Sequence, residues 1–278
     1  MTPARHAELA GNLAATRARV AAACAAAGRD VSEITLIAVT KTRPAEDVAA
    51  LAGLGLPDFG ENRDQEAAPK AAAVAELTSD PVRWHFIGQL QTNKAHHVVR
   101  YASVVHSVDR VRLVRALGSA TRAAREAATT AREAGRAARE AATAARETAT
   151  AAQEAAEAAA GAPPAPPAPL TCLVQVSLDG DAARGGALIS QLPEIAAAIE
   201  AEEGLALGGV MAVAPLGVAP ETAFALLRPL SDTVREVNPA AAIISAGMSG
   251  DLEAAVRNGA THLRIGTALL GNRSLPVL

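Results

Sequence analysis

A chain of 278 residues, half of them hydrophobic but only five aromatic, holds enough apolar material for one large core, and single α/β barrels commonly run to about 250 residues. The net charge of −3, from 26 basic and 29 acidic residues, gives no polycationic character for nucleic acid. No run approaches the roughly 20 apolar residues of a membrane span, and residues 1–30 lack the apolar stretch of a signal peptide.

Residues 1–28 are predicted to form a helix closed by Gly28. Short apolar β-type runs follow at 34–40, 58–60, 84–88, 103–106, 171–177, 206–213, 241–246 and 262–265. Helical patterns separate them at 44–54, 63–77, 92–101, from 111, at 188–202, 220–237, 251–258 and from 268. This alternation predicts a parallel sheet, because each crossover needs a helix to return the chain. Eight units favour a single (β/α)8 TIM barrel over residues 1–278, with an open doubly wound sheet as the alternative.

One segment breaks the rhythm. From Ala124 the chain repeats every seven residues as AREAATT, AREAGRA, AREAATA, ARETATA, AQEAAEA. Ala, Arg and Glu are strong helix formers, and pairs such as Arg122/Glu126 and Arg136/Glu140 stand at i,i+4. With only Ala at would-be core positions, a conventional coiled coil is not expected. Residues 117–170 therefore read as a solvated helical insertion between strands four and five, ending in a Pro-rich linker over 161–170. A straight helix from 110 to 160 would be about 75 Å long, whereas the linker as polyproline spans about 31 Å. The segment is thus expected to be a helical hairpin broken at Gly135, or partly disordered.

The cations carry a sharper signal. There are 23 arginines but only three lysines, Lys41, Lys70 and Lys94. Where Arg fills ordinary surface positions, a retained Lys points to a need for a primary amine, since a guanidinium forms no imine. Barrel active sites lie at the C-terminal ends of the strands, and Lys41 follows the run ITLIAVT. Glu61 and Asn62 follow strand two, and Gln89 follows strand three. Two helix N-termini, Ser245-Ala-Gly247-Met248-Ser249 after strand seven and Gly266-Thr267 after strand eight, have the hydroxyls and close backbone approach of a phosphate site. Strand eight closes beside strand one, so an amine and a phosphate cradle become neighbours. That pairing suits pyridoxal 5′-phosphate (PLP), held as a Schiff base on Lys41 with its phosphate at Ser245, Ser249, Gly266 and Thr267 and Arg264 at its pyridine nitrogen. On spacing alone, a salt-bridged Lys41 and an Arg264 packed inside the barrel stand level with these roles.

The segments ITLIAVTKTRP, DFGENRDQE, WHFIGQLQTNK, SVDR, GVMAVAP and SAGMSGDLEAAVRNGATHLRIGTALLG resemble the YggS/PROSC family of pyridoxal phosphate homeostasis proteins. That family is similar to the alanine racemase barrel without its second, β-rich domain. The resemblance covers nearly all of the chain outside about 117–170. It implies that Lys41 is the cofactor lysine, that Ser245, Gly247, Met248, Ser249, Gly266 and Thr267 bind phosphate, and that Arg264 meets the pyridine nitrogen. Asn62 and His85 fall in segments that line the same rim in the family, although His85 inside a strand reads better as a barrel-interior histidine. Lys94, in the Gln-x-Asn-Lys motif, carries charge or accepts transient cofactor in one reading and is a solvated helix-start lysine in the favoured one. Three departures stand out: Arg63 where an aromatic residue is common, Arg184 where a lysine is usual, and the insertion.

Racemisation needs a base on each face of the substrate α-carbon, and Lys41 supplies one. The single tyrosine, Tyr101, precedes strand four and is expected at the wrong end of the barrel. A non-enzymatic binder that stores, buffers or delivers PLP is therefore expected, ahead of a PLP-dependent amino-acid racemase and of a scaffold built on the insertion. Its expected partners are PLP and PLP-dependent apoenzymes, with no nucleic acid, membrane or metal. Cys24 and Cys172 fit no metal spacing and read as buried reduced thiols of a cytoplasmic protein, expected to be a monomer.

Overall fold

The structure, a computed structural model, describes residues 1–147, 168–181 and 185–271. Eight strands, β1 (Thr35–Val39), β2 (Asp58–Glu61), β3 (Arg83–Phe86), β4 (Ala102–Val108), β5 (Leu170–Gln175), β6 (Leu205–Met211), β7 (Ile243–Ser245) and β8 (His262–Ile265), pair in parallel in chain order and close into a barrel. This is the (β/α)8 architecture expected from the alternation, and the open sheet is excluded. Around it lie α1 (Pro3–Ala26), α2 (Ala45–Gly53), α3 (Asp64–Leu77), α4 (Ala95–Val98), α5 (Val111–Glu147), α6 (Leu192–Ala201), α7 (Pro220–Phe224), α8 (Leu227–Val237), α9 (Leu252–Arg257) and α10 (Thr267–Leu270).

The strands form where apolar residues run unbroken, because both of their faces are buried. Outward residues such as Leu263 and Ile265 pack under the helices, whose apolar faces recur at helical spacing, as in Leu192, Ile195, Ala196 and Ile199 of α6. Inward residues split into two groups. Val104, Leu173 and Met211 make an apolar cluster with Ile243, while Asp58, His85, His106, Ser245 and Arg264 are buried and polar. The first helix, α1, packs on α2, α9 and α10.

The insertion is corrected in part. Helix α5 runs unbroken through Gly135 to Glu147, so the expected break there does not occur. The physical reason is scale: one glycine costs about 1 kcal/mol in a helix, too little against strong helix formers on both sides, and a side chain at Gly135 would meet nothing within 4 Å. Residues 161–167 of the expected linker lie outside the described residues, and Leu170, read as its last residue, begins β5. The start of the insertion also moves outward. Leu117 and Thr121 are buried, Arg122 bonds Glu202 at 2.8 Å, and a Cβ on Gly204 would stand 3.0 Å from Thr121. Residues 117–122 therefore belong to the barrel helix.

At the C-terminal end of β1, one buried ammonium ties three elements together. Lys70 Nζ, from α3, donates to the Thr40 carbonyl at 2.8 Å, to Glu61 Oε1 at 2.6 Å and to Glu66 Oε1 at 2.9 Å. Thr40 Oγ1 donates to the same Glu61 oxygen at 2.7 Å, and Glu66 accepts the backbone N–H of Thr42. Thr42 has φ 63°, a left-handed conformation that a β-branched residue adopts only under constraint. Lys70 and Glu66 thus hold the turn that carries Lys41. Burial pushes the Glu61 carboxyl above its ordinary range, against the hydrogen bonds from Lys70 and Thr40 that lower it.

Two outcomes follow for stability. Lys70→Ala leaves Glu61 buried and unpaired, so urea unfolding should show a loss of about 3–5 kcal/mol, largely recovered in Lys70→Met with Glu61→Gln; a loss below about 1 kcal/mol would contradict the clamp. Deleting residues 119–160 would remove Thr121 and Arg122 from the barrel wall. A deletion of 128–160 bridged by a flexible linker should leave the thermal midpoint within a few degrees, and the 119–160 deletion should lower it measurably more; equal midpoints would contradict the assignment.

Candidate functional site

The site is built on the seam between β8 and β1. Ile37 pairs with Arg264 and Ala38 with Ile265, so the chain leaving β8 runs beside the chain approaching Lys41. A Cβ on Gly266 would lie 3.6 Å from the Val39 side chain, two residues before Lys41. Among the described residues, Lys41 makes no hydrogen bond or ion pair. Lys70, by contrast, is saturated by three acceptors.

Beside this amine, the turn after β7 meets the start of α10. Gly247 has φ +89°, and a Cβ there would fall 2.6 Å from that of Ala255; only glycine fits. Its carbonyl accepts from the Arg264 amide at 2.9 Å. The Ser249 hydroxyl accepts from the Ala268 amide at 3.3 Å, which joins the two segments expected to form one cradle. Thr267 is exposed at the start of α10. The Met248 side chain is exposed, while its amide donates to Asp251 at 2.5 Å. From α1, Arg19 holds the turn from behind, donating to the Ser249 carbonyl at 2.7 Å and pairing with Glu253 at 2.5 Å.

On the other side of Lys41, Asn62 follows β2. Its Oδ1 is buried without a partner, an arrangement that calls for a donor from outside the protein. A Cβ on Gly88 would sit 2.1 Å from the Asn62 carbonyl, so glycine at this position allows the two rims to approach. The free amine, the glycine-lined cradle and the orphaned amide oxygen fit a ligand with an aldehyde, an anion and polar ring substituents.

Arg264 is buried inside the barrel. It donates to Ser245 Oγ at 2.6 Å and to the Ala212 carbonyl at 2.9 Å. Burial pulls its guanidinium down to about 10, still charged at neutral pH. Ser245 differs from the sequence expectation. It is fully buried, and its hydroxyl engages Arg264 and His106 Nδ1, the latter at 2.9 Å, so it supports Arg264 and is not turned to an anion at the rim. His85 lies in the interior as expected, between Asp58 at 2.8 Å and His106 at 2.9 Å. Burial lowers both histidines, His106 well below its usual value. Tyr101 stands at the start of β4, at the opposite end from Lys41, and burial raises its phenol. Arg63 is exposed before α3 and Lys94 half-buried in a 3-10 turn after β3, while Arg184 lies outside the described residues. Sequence reasoning missed Arg19, the Lys70 clamp, Asp58 and His106. Lys70 carried a signal in the scarcity of lysine, but the others carried none locally, since their partners lie far away in sequence.

Among the described residues no helix is long and apolar enough to cross a membrane, and no group of His, Cys, Asp and Glu has the geometry to hold a metal ion. Cys24 and Cys172 are buried free thiols.

Comparison with known proteins places these features in a family. Residues 11–274 match the family described as "Alanine racemase, N-terminal domain". The "Pyridoxal phosphate homeostasis protein" of Mycobacterium bovis is 42% identical, over 98% of this chain and 96% of that protein. The protein of the same name from Escherichia coli is 31% identical, over 96% and 97%. Among solved structures, PipY of Synechococcus elongatus with PLP bound superposes with a TM-score of 0.68 at 27% identity, covering 95% of this chain and all of that one. Alanine racemase from Corynebacterium glutamicum shares the fold, with a TM-score of 0.59 at 11% identity, and this chain covers 62% of its length. With the family model covering most of the chain and relatives of 31–42% identity matching over nearly their full length, this chain belongs to the alanine racemase N-terminal domain family, in its branch of pyridoxal phosphate homeostasis proteins.

Proposed function

We propose that this chain binds PLP covalently through Lys41 and serves in its storage, buffering or delivery without substantial catalysis. The observation that carries the reading is Lys41, unpaired among the described residues, two residues after Val39, which lies against Gly266 at the barrel seam. The relatives named for PLP homeostasis and the PLP-bound PipY structure support the choice of ligand.

When bound, the cofactor supplies an aldehyde for a primary amine and a ring that accepts electron density. The protein's own groups take defined parts. Lys41 Nζ is the nucleophile. Ser249, Gly266 and Thr267, with the turn of Gly247 and Met248, hold the phosphate end. Arg264 would meet the pyridine nitrogen as a donor, which would leave that nitrogen unprotonated and weaken the ring as an electron sink. Ser245 acts on the site through Arg264, and Asn62 offers its unpartnered oxygen to a ring substituent.

Two placements support a binder over a racemase. Tyr101 lies at the far end of the barrel, and the interior histidines His85 and His106 are committed to each other and held neutral by burial. Neither offers a second base beside Lys41. PLP-dependent apoenzymes are the proposed recipients, and the buried free thiols accord with a cytoplasmic setting.

Lys41→Ala should abolish the visible absorbance of the PLP-loaded protein and leave its far-ultraviolet dichroism unchanged, while Lys94→Ala keeps both. Retained absorbance in Lys41→Ala would overturn the assignment. Loaded protein with L-alanine in heavy water should show α-proton exchange and D-alanine formation at least about a hundredfold slower than a racemase, given the absent second base. Rapid exchange that Lys41→Ala removes would establish the enzyme reading.

A further inference from the structure

Five buried groups from five strands form one chain of hydrogen bonds through the barrel: Arg264 on β8, Ser245 at the end of β7, His106 on β4, His85 on β3, and Asp58 at the start of β2. The links are 2.6 Å from Arg264 to Ser245 Oγ, 2.9 Å from Ser245 Oγ to His106 Nδ1, 2.9 Å from His106 Nε2 to His85 Nδ1, and 2.8 Å from His85 Nε2 to Asp58 Oδ1. Asp58 also accepts from Arg83 at 2.5 Å, at the opposite end of the barrel from Lys41.

The ends of this chain dictate its proton order. A guanidinium can only donate and a carboxylate can only accept. Asp58 therefore takes the Nε2 proton of His85, which leaves neutral His85 with an accepting Nδ1. His106 must donate to that nitrogen from Nε2, so its own Nδ1 accepts, and the Ser245 hydroxyl donates to it. The Ser245 oxygen is then free to accept from Arg264. Every bond points the same way, and a head-to-tail series of this kind polarises each member. The buried guanidinium has no carboxylate within bonding distance among the described residues; its partners are Ser245 Oγ and the Ala212 carbonyl. His262, with its ring 6.5 Å from His85 and its Nδ1 bonded to Thr261 at 2.9 Å, stands beside the chain but is not part of it.

We propose that Asp58, His85, His106 and Ser245 are positioning residues for Arg264: a one-directional relay, anchored on the carboxylate at the far end of the barrel, that fixes the guanidinium and turns its remaining donors to the cofactor mouth. Its effect on the cofactor rests on Arg264 meeting the pyridine nitrogen; its proton order does not.

The test has two arms. In unloaded protein, nitrogen-15 spectra of the imidazoles at neutral pH should show both His85 and His106 as neutral Nε2–H tautomers. A cationic His85, or an Nδ1–H tautomer at either ring, overturns the relay. In loaded protein, His106→Leu should weaken PLP binding roughly ten- to hundredfold and shift its absorption maximum. Asp58→Asn keeps the shape, removes the charge remote from the cofactor and is the variant of choice if His106→Leu misfolds; it should move the maximum in the same direction with a smaller affinity loss. An unchanged maximum and affinity in a folded Asp58→Asn would reduce the chain to packing and overturn the proposal. Failure of the native chain to take up PLP would overturn the functional reading, while the tautomers would still decide the proton order.

Discussion

The pairing of β8 with β1 is the constraint on which the rest of the structure depends. Lys41 and Arg264 are more than 220 residues apart in the chain, yet closure sets Ile37 opposite Arg264 and brings Gly266 against Val39. An open sheet of the same strands would leave these two edges at opposite ends. The Lys41 turn, Gly266 and the buried Arg264 are neighbours only because the eighth strand returns to the first. Helix α1 packs on α2, α9 and α10; its Arg5 pairs with Asp47 of α2 and donates to the Leu270 carbonyl, and its Arg19 pairs with Glu253 of α9, so the first helix ties α2 to α9 and α10.

A barrel lumen filled with aliphatic side chains would be simpler to stabilise than this one. Burying an ion without a close partner costs several kcal/mol even after relaxation, and the lumen holds Arg264, with no carboxylate in bonding distance among the described residues, and Asp58, paired at its outer end with Arg83. Neutral dipoles link the two, and the Lys70–Glu61–Glu66 group solves the same problem on the outside of the rim with direct ion pairs. The two arrangements divide the labour at the site. One holds the backbone of the Lys41 turn, including a left-handed Thr42, and the other holds the Arg264 guanidinium inside the barrel. Among the described residues Lys41 itself is left without a partner, as the proposed role requires.

Much of this was legible in sequence where the signal is local. Each strand of a parallel barrel is buried on both faces, so its apolar run is continuous, and all eight runs lie within two residues of the strands. Lys41 stood out because arginine fills nearly every other basic position. The relay could not be read, since its bonded members are spaced by 19 to 139 residues and a lone histidine in a strand looks the same whether or not it has a partner. Ser245 was assigned to the rim because a serine at a strand end beside a glycine turn resembles a phosphate ligand; only the inward pleat of β7 shows that it serves Arg264. Gly135 was overvalued as a break. A single weak residue in an unpacked helix has nothing to bend towards, and its neighbours decide the outcome.

The most direct test of the central claim is chemical trapping. The native protein is loaded with PLP, reduced with borohydride and digested, and the modified peptide is identified by mass spectrometry. The account predicts one dominant phosphopyridoxyl adduct, on Lys41, with Lys70 unmodified because its ammonium is buried among three acceptors. An adduct located mainly on Lys70 or Lys94, or spread evenly over the three lysines, would contradict it.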